Sequence, residues 1–378
     1  MRENRPGWNI GKCATIKKDY PVKIQAINYL NPEGILSPEF QPAISDADLI
    51  KGYMTMVVTR LVDERMITIQ RQGIISFAMS SLGEEACSVA SAAALDLQDW
   101  MYPQYRESGV MFWRGFTIQQ YVHQMFGDAF DLGLGRQMPN HFGSRALNVV
   151  TVSSPIGTKI PHAAGAAYAM KIHGEKTIAI CYFGEGATSE GDFHAGVNFA
   201  AVRKAPVIFF CRNNGYAIST PCFRQFASDG IASKGEGYGI LSLRIDGNDF
   251  FAVHDVVRRA KSHCLEGKGP VLIEAMTYRM GAHSTSDDPS LYRQEEESIK
   301  WEAKCPIIRL RKHLNSKGLW SDEMEKELIA DINEEITEAI NTAKKSSPPP
   351  LISLFENVYF EIPQSLKEQY EDLQSWHS

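Results

Sequence analysis

The strongest constraint on this chain is an alternation in its middle third. Residues 176–183 (KTIAICYF) and 206–211 (PVIFFC) are short apolar runs, and residues 189–203 between them read as a helix. Residues 241–245, a helical stretch near 250–266 and a further run at 271–277 (VLIEAMT) continue the pattern. Strands that are apolar on both sides must be covered on both faces, and a helix-length connection is what joins parallel neighbours. The expectation is an α/β protein, a mostly parallel sheet flanked by helices. No internal repeat accompanies it.

To either side the pattern changes. Residues 1–44 are rich in Pro, Gly and Asn and suggest an irregular arm lying over another surface. Ser45-x-x-Asp48 has the form of a capping box, followed by Ile50, Met54, Val57 and Leu61 at helical spacing. That predicts a helix running to about Gln72 and stopping at Gly73. Ser81-x-x-Glu84 repeats the signature ahead of an Ala- and Ser-rich segment, predicting a second helix to about residue 95. After residue 295 the chain turns helical and charged. Ser321 is expected to cap a helix with acids in its first turn and Lys344-Lys345 in its last, matching the helix dipole. Ile329, Ile332, Ile336 and Ile340 give that helix an apolar face, which either covers its own domain or docks a partner subunit. Residues 346–350 (SSPPP) then break it. The expected division is an arm over 1–44, an α/β domain over 45–295 and a helical region over 296–378.

Composition narrows the function classes. A chain with 44% hydrophobic and 22% charged residues is neither a disordered tail nor a coiled coil. Its net charge of −6 is spread along the sequence, which argues against a basic face for nucleic acid. No run of eighteen apolar residues exists, so no membrane span is expected. The seven cysteines, at 13, 87, 181, 211, 222, 264 and 305, form no C-x-x-C pair. Neither the usual zinc spacings nor a disulfide framework fits them, and a reducing compartment follows. Cys181 and Cys211 lie inside apolar runs and are expected to be packed thiols. The first twenty residues carry five basic and two acidic side chains without a hydrophobic signal core. They fit either the remnant of an organelle-targeting presequence or an ordinary arm.

The most informative stretch is Gly184-Glu185-Gly186, followed after 26 residues by Asn213-Asn214. Each stands at the end of an expected strand. A parallel strand–helix–strand unit puts both carboxyl ends on one sheet edge, so Glu185 and Asn214 can converge. A carboxylate oxygen, an amide oxygen and the Tyr216 main-chain carbonyl supply half an octahedron for Mg²⁺, which commonly takes phosphate and water for the rest. The flanking glycines let a phosphate approach the backbone, and a helix starting near Ser189 offers free N–H groups. His283 follows the strand at 271–277 on the same edge and opens a polar loop, where an imidazole that titrates near neutrality could move protons.

These motifs carry a resemblance. The spacing is similar to the thiamine diphosphate-binding signature, with Glu185 where Asp is commoner. GEGATSEGDFHAG, FFCRNNGYAIST and YRMGAHSTSDD resemble the α subunits of branched-chain 2-oxo acid dehydrogenase, and QYRESG, GRQMPNHFG and SSPIGTKIPHAAGAAYA extend the likeness upstream. It covers roughly residues 45–365. The resemblance implies a thiamine diphosphate-binding fold, with Mg²⁺ on Glu185, Asn214 and the Tyr216 carbonyl. It implies that Tyr105, Arg106, Ser154, Gly186, Ala187, Arg212 and His283 line the cofactor, with Ile156 beside the aminopyrimidine. Phe77, Gln104 and Tyr105 would form part of a substrate pocket. Arg106 and Arg212 can make charge-assisted bonds to a diphosphate. The implied reaction is oxidative decarboxylation of a branched-chain 2-oxo acid such as 3-methyl-2-oxobutanoate, with acyl transfer to a lipoyl arm and His283 as the catalytic histidine.

The resemblance also implies partners. The chain shows one diphosphate-binding sheet and then only helices, so a separate β subunit would complete the site in an α₂β₂ assembly, and no turnover is expected from this chain alone. A lipoyl-bearing acyltransferase would receive the acyl group. Ser284 matches the serine phosphorylated in mitochondrial members, which implies a regulatory kinase and phosphatase. A phosphate there would add about −1.5 to −2 charges beside His283. The second phosphoacceptor of such proteins is missing, because Tyr292-Arg293 is followed by Gln294. Members are mitochondrial in eukaryotes and cytoplasmic in bacteria, and Ser284 points to the mitochondrial matrix. Another departure lies in Ser153-Ser154-Pro155-Ile156-Gly157-Thr158-Lys159, which resembles a K⁺-binding loop whose last position is usually Gln. Lys159 has no acceptor oxygen. Either K⁺ binds Ser153, Pro155 and Thr158 with a reduced shell, or the ammonium stands in for it, so K⁺ dependence should be weak or absent. The rival expectations are a pyruvate dehydrogenase α subunit, an acetoin-cleaving dehydrogenase subunit and a non-catalytic scaffold subunit of such a complex.

Overall fold

The structure is a computed structural model that describes residues 23–377. Residues 1–22, with the presequence-like segment and Cys13, lie outside that range. The chain opens with helices α1 (Asp46–Arg71) and α2 (Glu85–Ala93), strand β1 (Trp100–Tyr102), and helices α3 (Ser108–Arg114), α4 (Ile118–Phe126) and α5 (Lys159–Ile172). Next come β2 (Ala179–Gly184), α6 (Gly191–Arg203), β3 (Val207–Asn213) and a small hairpin of β4 (Tyr216–Ala217) and β5 (Thr220–Pro221). Short helices α7 (Cys222–Gln225) and α8 (Lys234–Gly237) lead to β6 (Leu241–Asp246), α9 (Phe250–Leu265) and β7 (Val271–Met276). Helices α10 (Glu295–Glu302), α11 (Pro306–Ser316), α12 (Asp322–Ala343) and α13 (Gln364–His377) finish the described chain.

The strands form one five-stranded parallel sheet in the order β1-β2-β3-β7-β6. Every residue of β3 is buried, as a central strand covered on both faces requires. Alternation along the strands divides the core. Ile180, Tyr182, Ile208 and Phe210 join one cluster with residues of α1, α2, α9, α11 and α12, while Cys181, Phe183, Phe209 and Cys211 join another with α5 and α6. The protein is therefore helix, sheet and helix in three layers. Burying each large apolar side chain contributes roughly 1.5–3 kcal/mol, so the central strands hold a large share of the stability.

The expected strands and helices are all present, with differences at their ends. Ser45 caps α1, its side chain accepting from the Asp48 N–H, and α1 ends before Gly73 as expected. The second capping pattern fails. Ser81 donates to the Asp63 carboxylate at 2.7 Å, and Glu84 occupies the N-cap of α2 with no side-chain cap bond. A 3₁₀ turn over Glu185–Ser189 intervenes before α6, which starts at Gly191 rather than near Ser189. Ser321 caps α12 through the Met324 N–H, but Lys344 is already the C-cap residue, so no basic side chain sits in the last turn. Ile332, Ile336 and Ile340 are buried in the main core and Ile329 packs against it, so this face covers its own protein. Cys181 and Cys211 are buried free thiols. Among the described residues no helix is long and apolar enough to cross a membrane.

Candidate functional site

Gly184 pairs with Arg212 in register and Asn213 pairs with Met276, so the carboxyl ends of β2, β3 and β7 lie side by side. A cavity of about 450 Å³ opens over that edge. Phe77, Gln104, Tyr105, Arg106, Ser154, Ile156, Glu185, Gly186, Ala187, Arg212, Asn214, Tyr216, His283 and Ser284 all line it. The structure thus gathers every residue proposed for cofactor, Mg²⁺, substrate and phosphorylation. Ser153, Pro155 and Thr158 are grouped separately: Thr158 Oγ1 lies 3.0 Å from Ser153 Oγ and donates to the Pro155 carbonyl at 3.1 Å. Lys159 is half-buried, and burial lowers its pKa. It makes no hydrogen bond or ion pair among the described residues.

The two glycines of the G-E-G turn do different things. A Cβ on Gly186 would stand 2.7 Å from the Ala217 Cβ, so packing demands glycine there, whereas one on Gly184 would meet only the Arg212 carbonyl, at an ordinary 4.0 Å. Glu185 is 1% exposed and weakly satisfied. Its carboxylate accepts from the Asn214 N–H at 3.4 Å and from Gln225 Nε2 at 3.3 Å. Burial pushes its pKa up, the condition a nearby cation would relieve. Asn213 turns away, donating to Glu274 at 2.7 Å, while Asn214 faces Glu84, donating at 3.1 Å, and its Oδ1 accepts the Tyr216 N–H at 3.2 Å. The Tyr216 hydroxyl donates to Glu297 at 2.7 Å, so its side chain is packing. Burial and Glu297 push that phenol up to about 12.

The arginines differ from one another. Arg212 is locked between Glu107, 2.5 Å from Nε, and Glu84, 3.2 Å from NH1, all three side chains being nearly inaccessible. Burial works against its charge, but Glu107 and Glu84 more than offset that and hold it above the usual guanidinium range. Arg106 is 3% exposed and has no carboxylate within ion-pair distance among the described residues. It donates to the Ser80 carbonyl and, at 2.6 Å, to the His283 carbonyl, and burial lowers its pKa. Arg279, also buried and without an ion pair among the described residues, donates to the Ile218 carbonyl at 2.8 Å and leaves its Nε without a partner.

His283 stands between these two cations. Its Nδ1 lies 3.3 Å from Arg106 NH2 and 3.4 Å from Arg279 NH1. Both neighbours can only donate, so Nδ1 is the acceptor and the ring proton is on Nε2. Burial, then Arg106 and Arg279, lower its pKa to about 4, and the ring is neutral at pH 7. The His283 main-chain N–H donates to Asp287 at 2.6 Å, which also takes the Tyr292 hydroxyl at 2.6 Å, while Arg293 ties the loop to the Gly281 carbonyl at 2.7 Å. Ser284 is half-buried in this loop, 3.0 Å from the Ser286 hydroxyl.

Several site residues escaped the sequence. Glu84 was read as a capping partner, and Glu107 and Arg279 carry no motif of their own beyond lying in QYRESG and YRMGAH. His141 is a further one: its Nδ1 donates to the Pro139 carbonyl at 3.0 Å and Nε2 lies 2.5 Å from the Ser154 hydroxyl, holding that side chain at the cavity. The signal available was position: Glu107, His141 and Arg279 each lie inside a matched stretch, and Glu84 does not.

Comparisons with known proteins agree in direction. The family described as Dehydrogenase E1 component matches residues 53–352. The chain is 50% identical over 353 residues to the mitochondrial 2-oxoisovalerate dehydrogenase subunit alpha of Dictyostelium discoideum, covering 93% of this chain and 80% of that one. It is 48% identical over 340 residues to the Bos taurus protein of the same name, covering 90% and 75%. It is 49% identical over 327 residues to the Arabidopsis thaliana subunit alpha 2, covering 86% and 69%. On the family match and these identities, this chain belongs to the dehydrogenase E1 component family, which implies dependence on thiamine diphosphate.

Proposed function

We propose that this chain is the α subunit of the decarboxylating component of a branched-chain 2-oxo acid dehydrogenase complex, a 3-methyl-2-oxobutanoate dehydrogenase active only with a β subunit. The observation that supports it best is the buried Arg106, which has no acidic partner among the described residues, at the mouth of a strand edge. A guanidinium taken out of water needs an anion, and the nearby carboxylates Glu84 and Glu107 are already engaged with Arg212. Arg106, Ser154 and the Gly186–Ala187 backbone would hold the diphosphate, with Arg212 lining that end while Glu84 and Glu107 take up its charge, and Glu185, Asn214 and the Tyr216 carbonyl would hold the Mg²⁺. Thiamine diphosphate supplies the electron sink for decarboxylation.

The protein's own side chains orient and shield. Phe77, Gln104 and Tyr105 wall the substrate side, with Gln104 fixed by the Gly184 N–H at 3.3 Å. His283 offers an Nε2–H donor in the neutral state, and charge placed against Arg106 and Arg279 brings it back towards its ordinary titration range, where it can carry a proton during acyl transfer to the lipoyl group. Phosphate on Ser284 would put negative charge beside the same histidine and obstruct the cavity. An α₂β₂ assembly, a lipoyl-bearing acyltransferase, a regulatory kinase and phosphatase and a matrix location complete the proposal. Ser153, Pro155 and Thr158 would give K⁺ only a reduced shell, or the Lys159 ammonium would stand in for the ion; either way K⁺ dependence is weak or absent. The segments 45–295 and 296–378 act as cofactor-binding and covering regions, respectively. Oxidative decarboxylation by the chain assembled with its β partner tests the reading. Preference for 3-methyl-2-oxobutanoate over pyruvate is expected, preference for pyruvate moves the protein to the neighbouring substrate class, and turnover by this chain alone contradicts the need for a β subunit.

A further inference from the structure

Resting on the metal reading above, we propose that Glu84 is a positioning residue that turns the Asn214 amide so that its oxygen, and not its NH₂ group, faces the Mg²⁺ position. A carboxamide presents an acceptor and a donor at two ends of nearly equal shape, and only the oxygen can bind a hard cation. Its neighbours decide which end faces the site. Here Asn214 Nδ2 donates to Glu84 Oε1 at 3.1 Å, while Oδ1 accepts the Tyr216 N–H at 3.2 Å. Turned over, the amide would set Oδ1 against the Glu84 carboxylate and Nδ2 against an N–H, losing both bonds in a buried site. The charge-assisted bond to Glu84 is the stronger of the two.

Glu84 is itself held for this task. Arg212 NH1 lies 3.3 Å from one of its oxygens and 3.2 Å from the other, and Glu107 anchors Arg212 from behind. A buried chain of Glu107, Arg212, Glu84 and Asn214 therefore ends on the amide. The carboxylate stands at the N-cap of α2 yet makes no cap bond, being committed to β3 instead. Gly83 gives the backbone room to bring it there: its φ is +92°, and a Cβ would meet the Tyr278 carbonyl at 2.4 Å. Second-sphere partners of this kind tune metal affinity by about 10–100-fold.

The test is a Mg²⁺ titration of the assembled complex with thiamine diphosphate present, followed by tryptophan fluorescence. Glu84→Gln is expected to weaken Mg²⁺ binding by about 10–100-fold. The Glu84→Gln/Asn214→Asp double variant is expected to recover most of that loss, because a carboxylate offers an oxygen whichever way it turns. A purely structural role for Glu84 predicts that Asn214→Asp strengthens Mg²⁺ binding no more in the Glu84→Gln background than in the parent. Unchanged Mg²⁺ affinity in Glu84→Gln, or a double variant no better than the single one, overturns the proposal. A crystal structure of the unaltered complex with Mg²⁺ decides the matter without any variant: Oδ1 at about 2.0–2.1 Å from the ion with Nδ2 on Glu84 supports it, and any other arrangement of Asn214 overturns it. Glu185→Ala in the same titration separates the two levels. If Mg²⁺ dependence survives that change, the metal reading itself fails; if it is lost while Glu84→Gln has no effect, only the role of Glu84 does.

Discussion

Two walls of one cavity carry arginines of opposite kinds. On the β3 wall Arg212 is clasped by Glu84 and Glu107, and its charge is spent inside the protein. On the wall beyond β1 and β7, Arg106 and Arg279 bond, among the described residues, only to neutral groups, the Ser80, His283 and Ile218 carbonyls and the Tyr292 hydroxyl among them, with His283 Nδ1 between them. The difference teaches how to sort buried charge. A satisfied ion pair is architecture, and breaking it costs stability; a buried cation without a counter-ion is a site held ready for an anion.

The comparison can be broken at several points. Glu185→Ala removes the carboxylate of the proposed Mg²⁺ ligand set and should abolish Mg²⁺-dependent cofactor binding; affinity within a few-fold of the parent would show that the metal lies elsewhere. His283→Ala is expected to leave cofactor affinity near the parent value while slowing lipoyl acylation by about 10²–10⁴-fold, and an equal loss of both would make it structural.

The two arginines should part company in a paired experiment. Arg212→Ala leaves two buried carboxylates without a counter-ion and should cost about 3–5 kcal/mol in denaturant unfolding. Arg106→Ala should cost clearly less stability and instead weaken thiamine diphosphate by about tenfold or more, the worth of a charge-assisted bond. Equal stability losses would erase the distinction between the walls.

Smaller effects sharpen the same picture. With its pKa lowered to about 4, His283 stays neutral in the fold where the unfolded chain would take up a proton. It should therefore reduce stability as pH falls from about 6.5 towards 4 and have no pH-dependent effect above that window. Melting curves of the parent and His283→Gln should converge at pH 5 relative to their separation at pH 7.5; a separation that does not change with pH contradicts the two-arginine environment. Finally, replacing K⁺ by Na⁺ should change cofactor binding little, and a full loss would show that Lys159 does not substitute for the ion.

The parts legible in sequence were those where one residue type has one physical use. The central strands announce themselves because a strand covered on both faces has no polar side, as Val207–Asn213 shows. Glu185 and Asn214 were readable from strand-end spacing, which topology converts into proximity. By contrast β1 is three residues long, too short for any period. Glu84 and Ser81 formed a plausible capping pair by spacing, yet tertiary partners, Asp63 for Ser81 and Arg212 and Asn214 for Glu84, outcompeted the local bond. Arg212 and Arg106 looked alike in sequence for the same reason: whether a charge is compensated depends on residues such as Glu107 that only the fold brings near it.

The most direct measurement is a calorimetric titration of thiamine diphosphate, and of thiamine without its diphosphate, into the chain assembled with its β partner, with and without Mg²⁺. Mg²⁺-dependent binding of the diphosphate form, weakened in Arg106→Ala, is expected, with far weaker binding of thiamine that is indifferent to both changes. Equal affinity for the two ligands, or binding of the diphosphate form that ignores Mg²⁺ and Arg106, would contradict that expectation.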